Sequence, residues 1–411
     1  MFAARPPFGD PAAEAARFLC RVALIILLIL TPAAELVAHG TLYVLLPIGA
    51  TILVIAGWLS GGLRERHLGA ALLTPIGLAA LFLTFWSGLS LAWTPFPAEA
   101  GARFGSALGT GLVVLLAIAA LPERTKASNL YLLPIGVALT AGATGLVVLF
   151  GPASFRAGSN PDYTLAQRCL VSVSILLWPA LGALALRERW LMAAGLALVV
   201  TAAALVDFLQ IALVAVAMGA IVYAIAMTHA LRTAQVLAFG FAALVLLAPI
   251  LALVMLLLAD LAQLPQSGPL ISFADMAIRQ WPRLVTGHGF GFVPRAIEIG
   301  ALPADTPRSI LFTVWYELGL LGAVAFAVLG VRVFLAAGRA PPLVAPPLLA
   351  GLVAGLTIAL WGAETTQLWW MTLNGLDAIA FALLFKGHRR ARRPAAPVRE
   401  EEEEQGFELE S

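Results

Sequence analysis

The chain has 411 residues, of which 61% are hydrophobic and 12% are charged, with a formal net charge of +2 and a mean hydropathy of +0.94. This composition excludes a soluble domain, and we expect no nucleic-acid partner. Because a helix needs ~20 apolar residues to cross ~30 Å of hydrocarbon, the chain has room for about a dozen spans. The sequence therefore predicts an all-α integral membrane protein with about 12 transmembrane helices.

Twelve apolar runs, separated by polar or basic residues, define the predicted spans. They cover residues 18–37, 41–58, 69–92, 104–121, 130–150, 169–186, 190–206, 208–227, 234–258, 309–331, 343–361 and 370–385. The predicted organisation is a cytoplasmic segment (1–17), helices 1–9 (18–258), a large periplasmic loop (259–308), helices 10–12 (309–385) and a disordered cytoplasmic tail (386–411).

Basic residues orient these spans. If the N-terminus is cytoplasmic, every even-numbered connection is basic, as the positive-inside rule expects. Both termini are then cytoplasmic. Cys20 and Cys169 fall near opposite sides of the membrane, so we expect two unpaired, buried thiols.

Seven arginines and no lysine remain on the outer side, where the rule depletes positive charge. These residues are Arg103, Arg156, Arg168, Arg279, Arg283, Arg295 and Arg308. The planar guanidinium binds phosphate through two donors, whereas lysine is a point charge, so the set favours phosphate or pyrophosphate binding at a membrane surface. The alternatives are headgroup anchoring, or a genome that prefers arginine to lysine.

The long outer connection, Asp260 to Arg308, carries four of these arginines, and loops of this length are usually functional or disordered. Apolar residues from Leu270 to Trp281 recur at helical spacing, which predicts a helix lying on the membrane surface. Asp275 and Arg279 are spaced i, i+4, so a surface ion pair is the alternative role for Arg279. The following stretch, TGHGFGFVPRAI, contains three glycines that allow a sharp turn or a close approach to a ligand.

The stretch RSILFTVWYELGLLG (308–322) resembles the signature of the O-antigen ligase and O-antigen polymerase superfamily of bacterial envelopes. That signature has His-Asn, an apolar run, then Glu-x-Gly-x-x-Gly, and the spacing matches throughout. Three further stretches are similar to that family: SGLSLAWTPFPAEA, RLVTGHGFG and DYTLAQRCLVSVSILLWPAL. The resemblance covers roughly residues 70–330 and includes a large periplasmic loop before the signature, between helices 9 and 10.

The resemblance implies a membrane glycosyltransferase of the bacterial inner membrane. It would transfer a glycan from an undecaprenyl-pyrophosphate carrier to a lipid A-core or glycan acceptor, with membrane lipids around it, without a cofactor and independently of metal. Polymerisation of an O-antigen or exopolysaccharide is the alternative within the family. A lipid-linked glycan transporter and a catalytically degenerate scaffold are alternatives of other classes.

One departure from the family concerns the catalytic histidine, whose position is occupied by Arg308, with Ser309 in place of the asparagine. Arginine cannot act as a general base near neutral pH. Arg308 can still bind a leaving pyrophosphate from the start of a helix. Either another group is the base, or phosphate stabilisation suffices, or the activity is lost.

The remaining site candidates follow from these roles. Arg168, Arg279, Arg295 and Arg308 are predicted to bind the pyrophosphate. His288 is the candidate base because of its intrinsic pKa, with Asp305 and Glu298 as alternatives; Asp162 and Asp305 are only a weak indication of a metal site.

Glu317 is predicted to orient structure or to contact substrate. An ideal helix places it ~13 Å deeper than Arg308 and on the opposite face. Gly319 and Gly322 are interpreted as helix-packing residues.

Overall fold

The computed structural model describes most of the chain. The described residues are 11–38, 40–61, 69, 72–122, 127–151, 165–262, 271, 273–274, 278–279, 281–304, 306–361 and 368–391, of which 127 and 389–391 are described by their backbone only. Over these residues the protein is all-helical and contains no strand.

Fifteen α-helical elements are numbered here in chain order within the described ranges. They are α1 Pro11–Ile25, α2 Thr31–Ala34, α3 Thr41–Leu59, α4 Pro75–Ser90, α5 Pro97–Ala120, α6 Leu132–Phe150, α7 Leu165–Ala185, α8 Trp190–Val206, α9 Gln210–Leu261, α10 Arg283–Thr286, α11 Phe292–Glu298, α12 Ile310–Thr313, α13 Gly319–Gly338, α14 Ala345–Trp361 and α15 Leu368–Ala391. Two π-helical segments, Ile26–Leu30 and Val314–Leu318, connect α1 to α2 and α12 to α13.

Seven helices of the described chain are long and apolar enough to cross a membrane. They are Thr41–Leu59, Pro97–Ala120, Ser128–Phe150, Leu165–Ala185, Gln210–Leu261, Ile310–Gly338 and Leu368–His388. Three shorter apolar helices are Pro75–Ser90, Trp190–Val206 and Ala345–Trp361. This architecture is compatible with a multi-pass membrane protein, whereas the count of twelve spans stays a prediction.

The longest helix, α9, has 52 residues and would be ~78 Å long if straight, which exceeds the thickness of a bilayer. His229 has non-helical backbone angles (φ −138°, ψ 53°) and divides α9 at a kink. The predicted spans 208–227 and 234–258 lie on either side of this residue.

The buried side chains form two clusters. The first is built mainly by α1, α3 and α5–α8 with the first part of α9 and with α15, and the fully buried α7 lies within it. The second joins the later part of α9 to α13 and α14, and it includes Phe273, Val293, Phe312 and Tyr316. Phe273 and Val293 of the predicted loop 259–308 therefore pack in the second cluster.

Helix α1 begins at Pro11, before the predicted span 18–37, because the segment PAAEAA has good helix formers. The last helix continues to Ala391, so residues 386–391 are helical and not part of a disordered tail. Cys20 and Cys169 are free and buried, as predicted.

The predicted surface helix, 270–281, is described only in part. Ile271, Phe273, Ala274, Ile278 and Arg279 have helical backbone. Phe273 and Ala274 are buried, whereas Ile278 and Trp281 are exposed. Asp275, Asp305 and Asp162 lie outside the described residues.

Candidate functional site

The segment 308–322 begins as a helix that is interrupted at Gly319. Ser309 caps α12 by accepting a hydrogen bond from the Phe312 N–H at 3.4 Å. The π-helical segment Val314–Leu318 follows, and Gly319 has φ 65° and ψ −160°, which is not a helical conformation. The predicted span 309–331 is therefore interrupted at Gly319, after Glu317, and Gly319 serves the backbone turn rather than helix packing.

The interruption frees three backbone carbonyl groups, which accept hydrogen bonds from outside the helix. The Tyr316 carbonyl accepts from the His288 N–H at 2.9 Å, and the Glu317 carbonyl accepts from the Gly289 N–H at 2.9 Å. The Leu318 carbonyl accepts from the indole N–H of Trp86 at 2.8 Å. The glycine turn and α4 thus satisfy carbonyls that a regular helix would have used internally.

Glycines allow this docking because two backbones pass in direct contact. Gly287 (φ 72°, ψ 180°) and Gly319 both adopt angles that only glycine tolerates. A Cβ atom on Gly287 would overlap the Glu317 carbonyl, and one on Gly289 (φ 100°) would lie 2.6 Å from Thr94 Cβ. The turn therefore fits between α13 and the end of α4 only with glycine at these positions.

The Glu317 carboxylate fixes the other side of the turn. It is 1% exposed, and its two oxygens accept hydrogen bonds from the N–H groups of Gly291 (2.9 Å) and Val293 (3.0 Å). These donors lie at the start of α11, where N–H groups have no partner within the helix. Both carboxylate oxygens are engaged, which favours the positioning role for Glu317 over direct contact with substrate.

His288 is held by its backbone, its ring nitrogen and its ring face. Its Nδ1 lies 3.1 Å from the Tyr316 carbonyl, which can only accept, so Nδ1 carries the proton and Nε2 is left as an acceptor. The imidazole stacks on the Tyr316 ring, with centroids 4.1 Å apart and an interplanar angle of 8°. Burial lowers the pKa of His288, the hydrogen bond to Tyr316 opposes this effect, and the charge of Arg283 lowers the pKa further.

Aromatic rings continue from His288 in both directions. Phe292 lies 5.2 Å from His288 and 5.6 Å from Phe96, measured between ring centroids. Tyr316 stacks on Phe312, which contacts Phe273 edge-on. Phe273, Phe312 and Tyr316 are buried in the second cluster, so these rings hold His288 against the core.

Three of the arginines that the sequence predicts on the outer side lie around this group. Arg283 acts electrostatically on His288, and half-buried Arg103 acts on Glu317. Arg295 Nη1 bonds Glu298 at 2.8 Å, and Arg295 Nε lies 3.8 Å from Glu99. The charge of Arg295 is therefore partly balanced by two glutamates. The Cδ atom of Arg103 lies beside Gly291 of the glycine turn.

The other predicted arginines differ in position. Arg308 is half-buried and directly precedes Ser309, the cap of α12, while Arg279 is exposed. Convergence of Arg279, Arg295 and Arg308 on one pocket stays a prediction. Arg168 is 8% exposed and lies in α7, where its guanidinium packs 5.6 Å from the centre of the Trp369 ring, at the first hydrophobic cluster.

No protein-family model matches this chain, and no curated protein matches it either. Within the described residues, no group of three or more His, Cys, Asp or Glu side chains could hold a metal ion.

Sequence reasoning did not find Trp86 or Tyr316 as members of this site, and it named Arg103 only as one of the seven arginines predicted to lie on the outer side. Trp86 and Tyr316 look like ordinary apolar residues of a span, and their roles arise from the helix interruption. The available signal was the glycine pair Gly287 and Gly319, since close backbone approach requires such residues. His288 was predicted only as a candidate base, and the structure shows that it is half-buried and stacked on Tyr316.

Proposed function

We propose that this protein transfers a glycan from an undecaprenyl-pyrophosphate carrier to a hydroxyl group of a lipid or sugar acceptor, at the periplasmic face of the bacterial inner membrane. His288 is the general base of this reaction. The observation that carries the proposal is the contact of His288 Nδ1 with the Tyr316 carbonyl, which leaves Nε2 as a proton acceptor beside the helix break.

The protonation state of His288 supports this role. A general base must be unprotonated, and burial lowers the pKa of His288, which favours the neutral ring. The Tyr316 carbonyl orients the ring as a carboxylate orients the histidine in a catalytic triad, although without a negative charge.

The reaction balances with these groups. Nε2 takes the proton of the acceptor hydroxyl, the hydroxyl oxygen bonds the anomeric carbon, and the bond from that carbon to the pyrophosphate oxygen breaks. The pyrophosphate leaves with the bonding electrons, and Arg103, Arg283 and Arg308 stabilise its charge. A His288 base also explains how a chain with Arg308 at the signature position retains the chemistry.

A reconstituted reaction tests this proposal. Purified protein in liposomes would receive a radiolabelled undecaprenyl-pyrophosphate glycan and an acceptor, and the product would be separated by chromatography. We expect His288→Gln to lower the transfer rate strongly, whereas His229→Gln, a change at the exposed kink of α9, should leave it intact. Equal activity of wild type and His288→Gln would overturn the role of His288. The acceptor that is consumed, lipid A-core or a second glycan, distinguishes a ligase from a polymerase.

A transporter of lipid-linked glycans is the second candidate, because two observations favour it. Transporters often contain interrupted helices and buried ionisable residues inside the bundle. Here α13 follows an interruption at Gly319, and Glu35 and Arg168 are 5% and 8% exposed within a helical core. In the same liposomes, a transporter would move the labelled lipid between leaflets without releasing the glycan from its carrier.

A further inference from the structure

A second buried polar cluster consists of different residues from the His288 group and is built by different helices. Glu35 follows α2, Arg168 and Ser172 lie one turn apart on α7, and Trp369 begins α15. All four are at most 8% exposed. The Trp369 indole N–H donates to Glu35 Oε1 at 2.9 Å, and Arg168 lies over the same indole ring.

Three polar atoms of this cluster are buried without a hydrogen bond of good geometry. They are Glu35 Oε2, Arg168 Nε and Ser172 Oγ. The charge of Arg168 acts on Glu35, and the Ser172 hydroxyl lies beside the carboxylate, so the three atoms belong to one electrostatic group. Leaving a buried charged atom without a hydrogen-bonding partner is unfavourable.

The chemistry of the three atoms defines what can satisfy them. Glu35 Oε2 requires a donor, Arg168 Nε requires an acceptor, and the Ser172 hydroxyl can be either. The opposite charges of Glu35 and Arg168 favour an uncharged molecule, and their near-complete burial restricts it to a very small one. Water has two donors and two acceptor lone pairs, and buried waters typically make about three such bonds.

We propose that Glu35, Arg168 and Ser172 form an internal water-binding site inside the helix bundle. The site joins α2, α7 and α15 through hydrogen bonds to bound water, and it assigns Arg168 to this cluster rather than to the pyrophosphate. It is independent of the proposed glycan transfer, since it depends on no substrate.

Hydroxyl-radical footprinting by X-ray radiolysis tests this site, because bound water is the source of the radical that oxidises adjacent side chains. Trp369 is the reporter, and Trp315 is its matched control. Trp315 is 6% exposed, compared with 4% for Trp369, and its indole N–H is also hydrogen-bonded, to the Val245 carbonyl at 2.7 Å. In the wild-type protein we expect Trp369 to be oxidised several-fold faster than Trp315. Equal slow oxidation of both residues would overturn the proposal.

A double variant, Glu35→Leu with Arg168→Leu, provides the second arm. Removing both charges together avoids leaving one buried charge unpaired, which would destabilise the fold. We expect Trp369 oxidation to fall to the Trp315 rate, and rapid oxidation that persists in this variant would contradict the site. If the variant does not fold, the comparison of Trp369 with Trp315 in the wild type still decides. A pyrophosphate analogue should not protect Trp369, and protection would show that Arg168 faces substrate.

Discussion

At the scale of single residues, His288 and Glu317 have different roles, although they meet at the same turn. They lie 29 positions apart in the sequence. The Glu317 carboxylate accepts hydrogen bonds from the N–H groups at the start of α11. His288 is hydrogen-bonded to the carbonyl of Tyr316, the residue before Glu317. The Glu317 carboxylate therefore fixes the position of the glycine turn, and the position of the turn determines where the His288 imidazole lies.

Removing the imidazole should remove general-base catalysis. We expect His288→Gln to lower the transfer rate by about 10²–10⁴-fold, the usual contribution of a positioned base. The liposome assay described above measures this rate. His288→Gln should leave the glycan-binding constant nearly unchanged, and a large loss of binding with a normal rate would contradict a catalytic role.

The pH dependence of transfer should report the pKa of His288. Because burial and Arg283 lower this pKa, the activity should rise with pH through a value below about 6.5, the pKa of a free imidazole, and stay constant above it. Arg283→Gln removes a positive charge and should move the acid limb to higher pH. Arg332→Gln, a change in a different helix, is the control, and identical limbs in all three proteins would argue against His288 as the titrating base.

Arg308 should act by charge and by its paired donors if it binds pyrophosphate. Arg308→Ala should cost about 2–4 kcal/mol of transition-state stabilisation. Arg308→Lys should keep partial activity, because lysine keeps the positive charge but lacks the paired N–H donors of the guanidinium. Rates of both variants measure this difference. Near-normal transfer by both variants would assign Arg308 to membrane anchoring. Arg308→His tests whether the histidine of the similar signature improves the reaction.

At the scale of elements, the important unit is the glycine turn docked against an interrupted helix. The Phe290 N–H donates to Ser90 Oγ at 3.0 Å, and the Gly289 N–H donates to the Glu317 carbonyl, so the turn connects α4 to the π-helical segment before α13. Close approach to both helices requires residues without a Cβ atom.

Gly289→Ala should displace this turn. It combines an unfavourable left-handed backbone, about 1–2 kcal/mol, with a Cβ atom 2.6 Å from Thr94 Cβ. We expect loss of transfer and faster amide exchange at residues 287–293, measured by hydrogen–deuterium exchange. Gly300→Ala is the matched control, since Gly300 has φ 73° but open space, with no atom within 4 Å, where its Cβ would lie. A similar effect of both changes would show that backbone strain alone is responsible.

Glu317→Gln should weaken the start of α11. A glutamine has one acceptor oxygen, and its NH₂ group would face a backbone N–H, so one hydrogen bond is lost at about 1–3 kcal/mol. The Gly291 and Val293 amides should exchange faster in this variant. Glu298→Gln, which changes an exposed acid, should leave them protected, and unchanged exchange in Glu317→Gln would contradict the capping role.

At the scale of the whole molecule, the proposal depends on which end of the bundle faces the periplasm. A cysteine at Gln266 should react with an impermeant thiol reagent in intact spheroplasts, and a cysteine at Ala391 should not. Cys20 and Cys169 are buried, so their background should be low. The reverse labelling pattern would move the glycine turn to the cytoplasm and overturn the assigned substrates.

The sequence by itself determined the all-helical membrane class, because hydrophobicity and run length follow directly from residue type. It also indicated the glycine turn and the segment around Glu317. Only the tertiary structure decided that the helix breaks at Gly319, that Trp86 and the turn satisfy the freed carbonyls, and that His288 is stacked with one nitrogen engaged. The physical reason is that these bonds join residues as distant as Trp86 and Leu318, and helical periodicity describes only neighbours within one segment.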